Sequence, residues 1–315
     1  MQRDSEEPGP GVPQGSSPMP PDRSGTGGSS LFGEGPGRPR RRRLSDAETE
    51  RRMLETAAAA VAEAGLTVSL DHIRLEDVIR EAGVSRSAVY RRWPSKGEFL
   101  GDLLFELARG QAPIADTGTP EAGATIRRIL GERFDDLATP EGRRRAVAAI
   151  VRETAEQDLR HVAGSRQWRT YLALTVTFVG MPAGDLRDRV SAALAESERT
   201  LTGRIARNHE AVGRLLAMRP ARPEAGWGAL AHLANALMRG MVVKLLTQPE
   251  LGGWRCPADA GGLDAEWTLT ALGVADLVLA ALEPDPDVVW DDARAARVRA
   301  ALESDADLAE LDAGP

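Results

Sequence analysis

The chain has 315 residues, a formal net charge of −7, only 4% aromatic residues and one cysteine, Cys256. A negative balance excludes a molecule that coats nucleic acid over its whole surface, so any DNA contact has to come from a local basic patch. The single cysteine excludes an intramolecular disulfide framework and suits a reducing compartment.

Residues 1–37 are dense in Gly, Pro and Ser, with no apolar core of a signal peptide. They offer too little burial to offset ordering entropy, so they read as disordered. Residues 38–43 are Arg-Pro-Arg-Arg-Arg-Arg. Arg40, Arg41, Arg42 and Arg43 are either a solvated basic linker or an arm that follows phosphates or enters a minor groove. Ser45 and Glu48 have capping-box spacing and open the first helix, whose inner face is Leu54, Ala57, Ala58, Val61 and Ala64. Gly65 stands at its C-terminal cap, and residues 66–72 connect onward.

The spacing of Leu75, Val78, Ile79 and Ala82 predicts a second helix from about Ile73 to Ala82, ended by Gly83. The turn Gly83-Val84-Ser85 leads into a third helix through about Arg92, and Pro94 stops it by disfavouring helical geometry at Trp93. Ser95 and Glu98 repeat the capping-box spacing and open a fourth helix with Phe99, Leu100, Leu103, Leu104 and Leu107 on its apolar face. Pro113 to Pro120 reads as a linker. Further helical patterns follow at 121–138, 141–160, 164–179, 184–217, 226–247, 264–282 and 286–303, before an acidic tail over 304–315. No run of alternating strand residues stands out, and no apolar stretch is read as reaching the ~18 residues of a membrane span. The expectation is an all-α, cytoplasmic protein without a membrane partner: a helix-turn-helix domain over 44–111 and a helical-bundle body over 120–303.

The third helix carries the chemistry. Val84, Ala88, Val89 and Trp93 fall on one side and pack inward, which leaves Arg86, Ser87, Tyr90 and Arg91 on a contiguous polar face. Two short helices joined by a glycine turn present such a face to the major groove of double-stranded DNA. From Ala82 to Gly97 there are four basic residues and no acidic one, a local reversal of the chain's charge. Arg86 or Arg91 suits bidentate reading of guanine, Ser87 a base or phosphate, and Tyr90 a phosphate, with Ser85 counted among the DNA-binding residues. Lys96, in the first turn of the fourth helix, suits a phosphate clamp.

Over about residues 46–108 the sequence resembles the TetR/AcrR family of bacterial regulators. The pieces that carry the resemblance are Ala82-Gly83-Val84-Ser85, Tyr90-Arg91-Arg92-Trp93 and Ser95-Lys96-Gly97-Glu98. The resemblance implies a homodimer joined through its last long helices. It also implies a small-molecule effector that changes the spacing of two DNA-binding heads and relieves repression at a palindromic operator. Leu75 departs from the family, which usually has a capping Thr or Ser there. An earlier start, capped by Ser69 or Asp71, is the alternative.

In the body, Leu230, Leu233, Leu237, Met241 and Leu245 mark one face of a helix, with Leu269, Leu272 and Leu277 on the next. They read as a dimer seam, as domain core, or as both. Trp168, Tyr171, Thr175 and Phe178 form one stripe and His232, Asn235 and Arg239 another, a mixture that suits a ligand pocket. The four histidines are widely separated, no metal or phosphate-loop spacing appears, and no cofactor or enzyme activity is expected. Two other readings compete: a regulator whose body binds a partner protein through the acidic tail and the Val288-Val289-Trp290 patch, or acts as an activator, and a DNA-processing enzyme with a borrowed head.

Overall fold

The computed structural model describes residues 44–64, Leu70, 73–110 and 120–304. The arginine arm, Gly65, most of the 66–72 connection, the linker before Pro120 and the acidic tail beyond Ser304 lie outside them.

Four helices build the head: α1 (Asp46–Ala64), α2 (Leu75–Ala82), α3 (Arg86–Arg92) and α4 (Lys96–Gly110). Their apolar faces meet in one core that includes Met53, Val61, Val78, Ile79, Val89, Trp93, Phe99 and Leu103. Trp93 is fully buried, and its ring meets Phe99 edge-on at 5.1 Å and 78°, the geometry that aromatic quadrupoles favour. The start signals work as spaced: the Ser45 hydroxyl accepts from Glu48 N at 3.1 Å and the Ser95 hydroxyl from Glu98 N at 3.3 Å. Gly83 closes α2 in the left-handed region at φ 65°.

The second helix begins later than either sequence reading had it. Its N-cap is Arg74, which supplies no side-chain cap, and Leu75 is its first residue. Leu75 is buried in the head core, so packing rather than capping decides the start. Glu76 and Asp77 in the first turn favour the positive end of the helix dipole.

The body follows as α5 (Pro120–Glu132), a 3-10 turn (Phe134–Ala138), α6 (Pro140–Gly164), α7 (Arg166–Val179), α8 (Asp185–Leu215), α9 (Gly226–Thr247), α10 (Leu269–Ala281) and α11 (Asp292–Glu303). The all-α class holds, with two small additions. Strand β1 (Met218–Pro220) later pairs antiparallel with β4 (Leu282–Pro284), and β2 (Arg255–Ala260) pairs with β3 (Leu263–Thr268). The hairpin corrects the helix expected over 264–282, of which only the stretch from Leu269 is helical. Gly261 and Gly262 take φ 64° and 83°, the two left-handed positions of a mirror-image hairpin turn. The Asp259 carboxylate accepts from Gly262 N at 3.0 Å and fixes it. Thr268 then caps α10 by accepting from Ala271 N.

The reading of apolar stretches also needs correcting. By length and composition α9 is apolar enough to cross a membrane. In the fold it buries Leu230, Ala231, Met241 and Val242 and packs against α8 and α10. Its other side leaves Leu233 and Val243 exposed, beside the small residues Ala236 and Gly240.

Head and body share packing. Leu174 of α7 enters the head core, and Ala108 of α4 is buried with Tyr171, Val190 and Leu194.

Candidate DNA interface and body cavity

The helix expected to read DNA is α3. Ser85 is its N-cap, its hydroxyl accepting from Ala88 N at 3.3 Å. Its oxygen thereby fixes the start of the helix. Val89 and Trp93 are buried, Val84 and Ala88 partly so, and Arg86, Ser87, Tyr90 and Arg91 are all exposed. Lys96 is the first residue of α4 and is exposed. Four of these exposed groups thus lie on α3 and the fifth opens α4.

The acid-free run in the sequence is not acid-free in space. The Glu76 carboxylate pairs with Arg86 at 2.7 Å and accepts from the Tyr90 hydroxyl at 2.9 Å. That hydrogen bond is the main cause that holds the Tyr90 phenol above its ordinary pKa. Arg91 pairs with Asp46 of α1, and Arg92 with Glu50 of α1 and Asp102 of α4 at 3.0 Å each. Exposed pairs of this kind are worth about 0–1 kcal/mol, so phosphates and base edges can replace them.

Asp102 went unnoticed in the sequence. Its side chain is 17% exposed. It accepts from Trp93 Nε1 at 2.9 Å and Arg92 Nη2 at 3.0 Å, and meets Arg189 of α8 at 3.4 Å. The Arg189 guanidinium also lies 4.3 Å from the Phe105 ring centroid. A buried tryptophan needs an acceptor for its N–H, and an aspartate beside the apolar face of α4 was the available signal.

The model that describes "Bacterial regulatory proteins, tetR family" matches residues 54–103, which run from α1 to α4 across the whole turn and recognition helix. Over these residues the chain is similar to the tetR family. Among relatives, the HTH-type transcriptional regulator AqdR of Rhodococcus erythropolis is 34% identical over 79 residues, 25% of this chain and 36% of that protein. An uncharacterized HTH-type transcriptional regulator of Mycobacterium tuberculosis is 40% identical over 58 residues, 18% of this chain and 29% of its own length. A counterpart in Mycobacterium bovis matches to the same extent. The chain thus spans about a third of the length of the curated relatives it matches. No solved structure matches it.

The helix-turn-helix head is followed by a body with a cavity of two adjoining lobes, about 110 and 130 Å³. Val151, Thr154 and Asp158 of α6, His209 of α8 and Val278 of α10 line both. The first lobe adds His161, Trp168, Asn235, Met238 and Arg239, and the second adds Ile126, Val147, Ile150, Val212, Leu216, Trp227 and Leu230.

Three of the seven proposed ligand residues therefore line a lobe: Trp168, Asn235 and Arg239. Tyr171 stands behind Arg239, its ring centroid 4.8 Å from the guanidinium, and its hydroxyl donates to Glu198. Arg239 pairs with the same Glu198 at 2.6 Å. Thr175 bonds back to the Tyr171 carbonyl at 2.9 Å, as a helix threonine commonly does. Phe178 is covered by Arg187 at 4.5 Å, and His232 is on the exposed side of α9. These three residues are not among those that line either lobe, because neighbouring helices decide which side of each stripe faces inward.

His209, which lines both lobes, also went unnoticed in the sequence. Burial pushes its imidazole down to about 4, and its Nδ1 has no hydrogen-bond partner. The unfolded chain takes up a proton near pH 6.5 while the fold resists until about 4. Stability is therefore unaffected above pH 6.5 and is lost as pH falls through that window, by on the order of 3 kcal/mol. Urea unfolding at pH 7, 5.5 and 4.5 checks this: the His209→Gln variant should lose distinctly less stability across the series than the parent. Equal losses in both would assign the acid sensitivity to other groups.

Proposed function

We propose that this chain is a ligand-responsive repressor that binds a palindromic operator as a homodimer in the cytoplasm and releases it when a small molecule occupies the body. The observation that carries the reading is the exposed face Arg86, Ser87, Tyr90 and Arg91 on a rigid, capped helix of a head similar to the tetR family. The chain's net charge of −7 makes that basic face the natural place for DNA. The exposed stripe of α9, with Leu233, Ala236, Gly240 and Val243, suits a second copy, since small residues allow helices to approach closely. The two-lobed cavity supports the effector.

The partner-protein reading is weakened at its named patch. The guanidinium groups of Arg143 and Arg294 lie 5.2 and 5.8 Å from the Trp290 ring centroid, which leaves Val289 as the exposed apolar residue of the patch. The DNA-processing reading needs a mixed α/β catalytic domain, and the described body is helical.

Selection from random duplex DNA tests the proposal, with light scattering of the free and bound protein. The expected site has two inverted half-sites one helical turn apart, about 34 Å, held by two chains and weakened steeply by salt. Enrichment of an asymmetric site bound by a single chain would overturn the dimeric reading.

A further inference from the structure

The chemistry of the cavity wall restricts what enters it, if the body is the effector domain proposed above. The first lobe is lined by side chains that carry three buried polar atoms without a hydrogen-bond partner: Trp168 Nε1, Arg239 Nη2 and His209 Nδ1. Trp168 is 3% exposed, and a buried N–H left unpaired is costly. Trp168 and Arg239 are donors only, so their complement is an acceptor. A cationic ammonium supplies none.

An anion is disfavoured as well. Arg239 is already paired with Glu198, Asp158 adds a further carboxylate to the wall, and His209 is held neutral by burial. A carboxylate ligand would surrender its hydration to a wall whose guanidinium is already paired and which carries a carboxylate of its own. The second lobe shares Thr154, Asp158 and His209 with the first and adds Asn208, but the rest of its wall is apolar. Ile126, Val147, Ile150, Val212 and Leu230 give it an apolar wall, and there is no room for a side chain on α8 where Trp227 crosses Gly213.

We infer that the cavity takes an uncharged amphiphile, with a carbonyl-type acceptor toward Trp168 and Arg239 in the first lobe and an apolar chain or ring in the second. The acceptor satisfies donors that the fold leaves unpaired, and the apolar part fills the space between α5, α6 and α8. Recognition of head and tail is thereby divided between the two lobes.

Titration calorimetry on the full-length protein tests this with three straight-chain probes below their micellar concentrations: 2-tridecanone, dodecanoate and dodecylammonium. The ketone is expected to bind once per chain, at least about tenfold tighter than either charged probe. Trp168→Phe keeps an aromatic ring and loses the donor, and should weaken the ketone by about tenfold while the variant still folds cooperatively. Ile150→Trp fills the second lobe and should abolish ketone binding while shorter acetone-like ketones are unaffected. No binding of any probe, equal binding of all three, or indifference of the ketone to Trp168→Phe overturns the inference. Operator occupancy is measured in parallel. Ketone binding that leaves the operator occupied sinks the effector reading and spares the ligand class; operator binding with no uptake of the ketone does the reverse.

Discussion

Alanine in place of Arg91 lowers operator affinity by roughly 10- to 100-fold, the value of one bidentate base contact. Tyr90→Ala costs roughly tenfold through a lost phosphate contact, and more uniformly across operator sequences. Neither change should move the melting point, because both side chains are exposed on α3, and exposed substitutions stay within about 0.5 kcal/mol. Glu76 supplies the informative control. It holds both Arg86 and Tyr90 in the DNA-free protein. Glu76→Gln removes a negative charge that phosphates would meet and frees both side chains, so affinity rises a few-fold and its salt dependence steepens. Fluorescence anisotropy on a labelled operator at three salt concentrations reads all three variants. Parent-like binding by both Arg91→Ala and Tyr90→Ala would remove α3 from the interface. Weaker binding by Glu76→Gln would instead make this carboxylate a guide that aims Arg86.

Trp93→Ala is the most damaging single change to the head. The ring is fully buried against Phe99, and large-to-small replacement of such a ring costs about 3–5 kcal/mol. That is a large share of the roughly 5–15 kcal/mol by which a domain is stable. Thermal melting followed by circular dichroism should show an early transition, with operator binding lost below it. Trp93→Phe keeps most of the volume but leaves Asp102 without the indole donor, at a cost of about 1–2 kcal/mol. If Trp93→Phe is as destructive as the alanine variant, the hydrogen bond to Asp102 outweighs the packing of the ring.

The head was legible because its signals are local. Ser45, Ser95 and Gly83 act on neighbours three or four residues away, and the apolar period of α4 is regular. What escaped was set by groups distant in sequence. Asp46, Glu50 and Glu76 reach the recognition helix from α1 and α2, so a charge count along residues 82–97 overstates the patch. The hairpin escaped because Leu263, Trp267 and Ala271 follow one another at intervals of four, which imitates a helix face. Gly261-Gly262 was the overriding signal, since adjacent glycines supply the mirror-image turn. In the cavity, Trp168, Asn235 and Arg239 come together but Phe178 and His232 do not, because sequence period identifies a stripe without saying which helix covers it. His209 carries no motif; only its burial in the fold makes it notable.

The length of α8 has a mechanical consequence. Its first half holds the head: Leu186 packs on Gly101, Arg189 meets Asp102, and the Ser197 hydroxyl donates to the Ala108 carbonyl. Its second half, with Ile205, His209 and Val212, walls the cavity. At 31 residues it is a stiff rod of about 46 Å, so a tilt of only about 5° at one end displaces the other by about 4 Å. In the proposed dimer each protomer carries such a lever, and opposite displacements add. A separation between recognition helices tuned to about 34 Å, one turn of DNA, would then be detuned by a rotation too small to disturb the packing of either end.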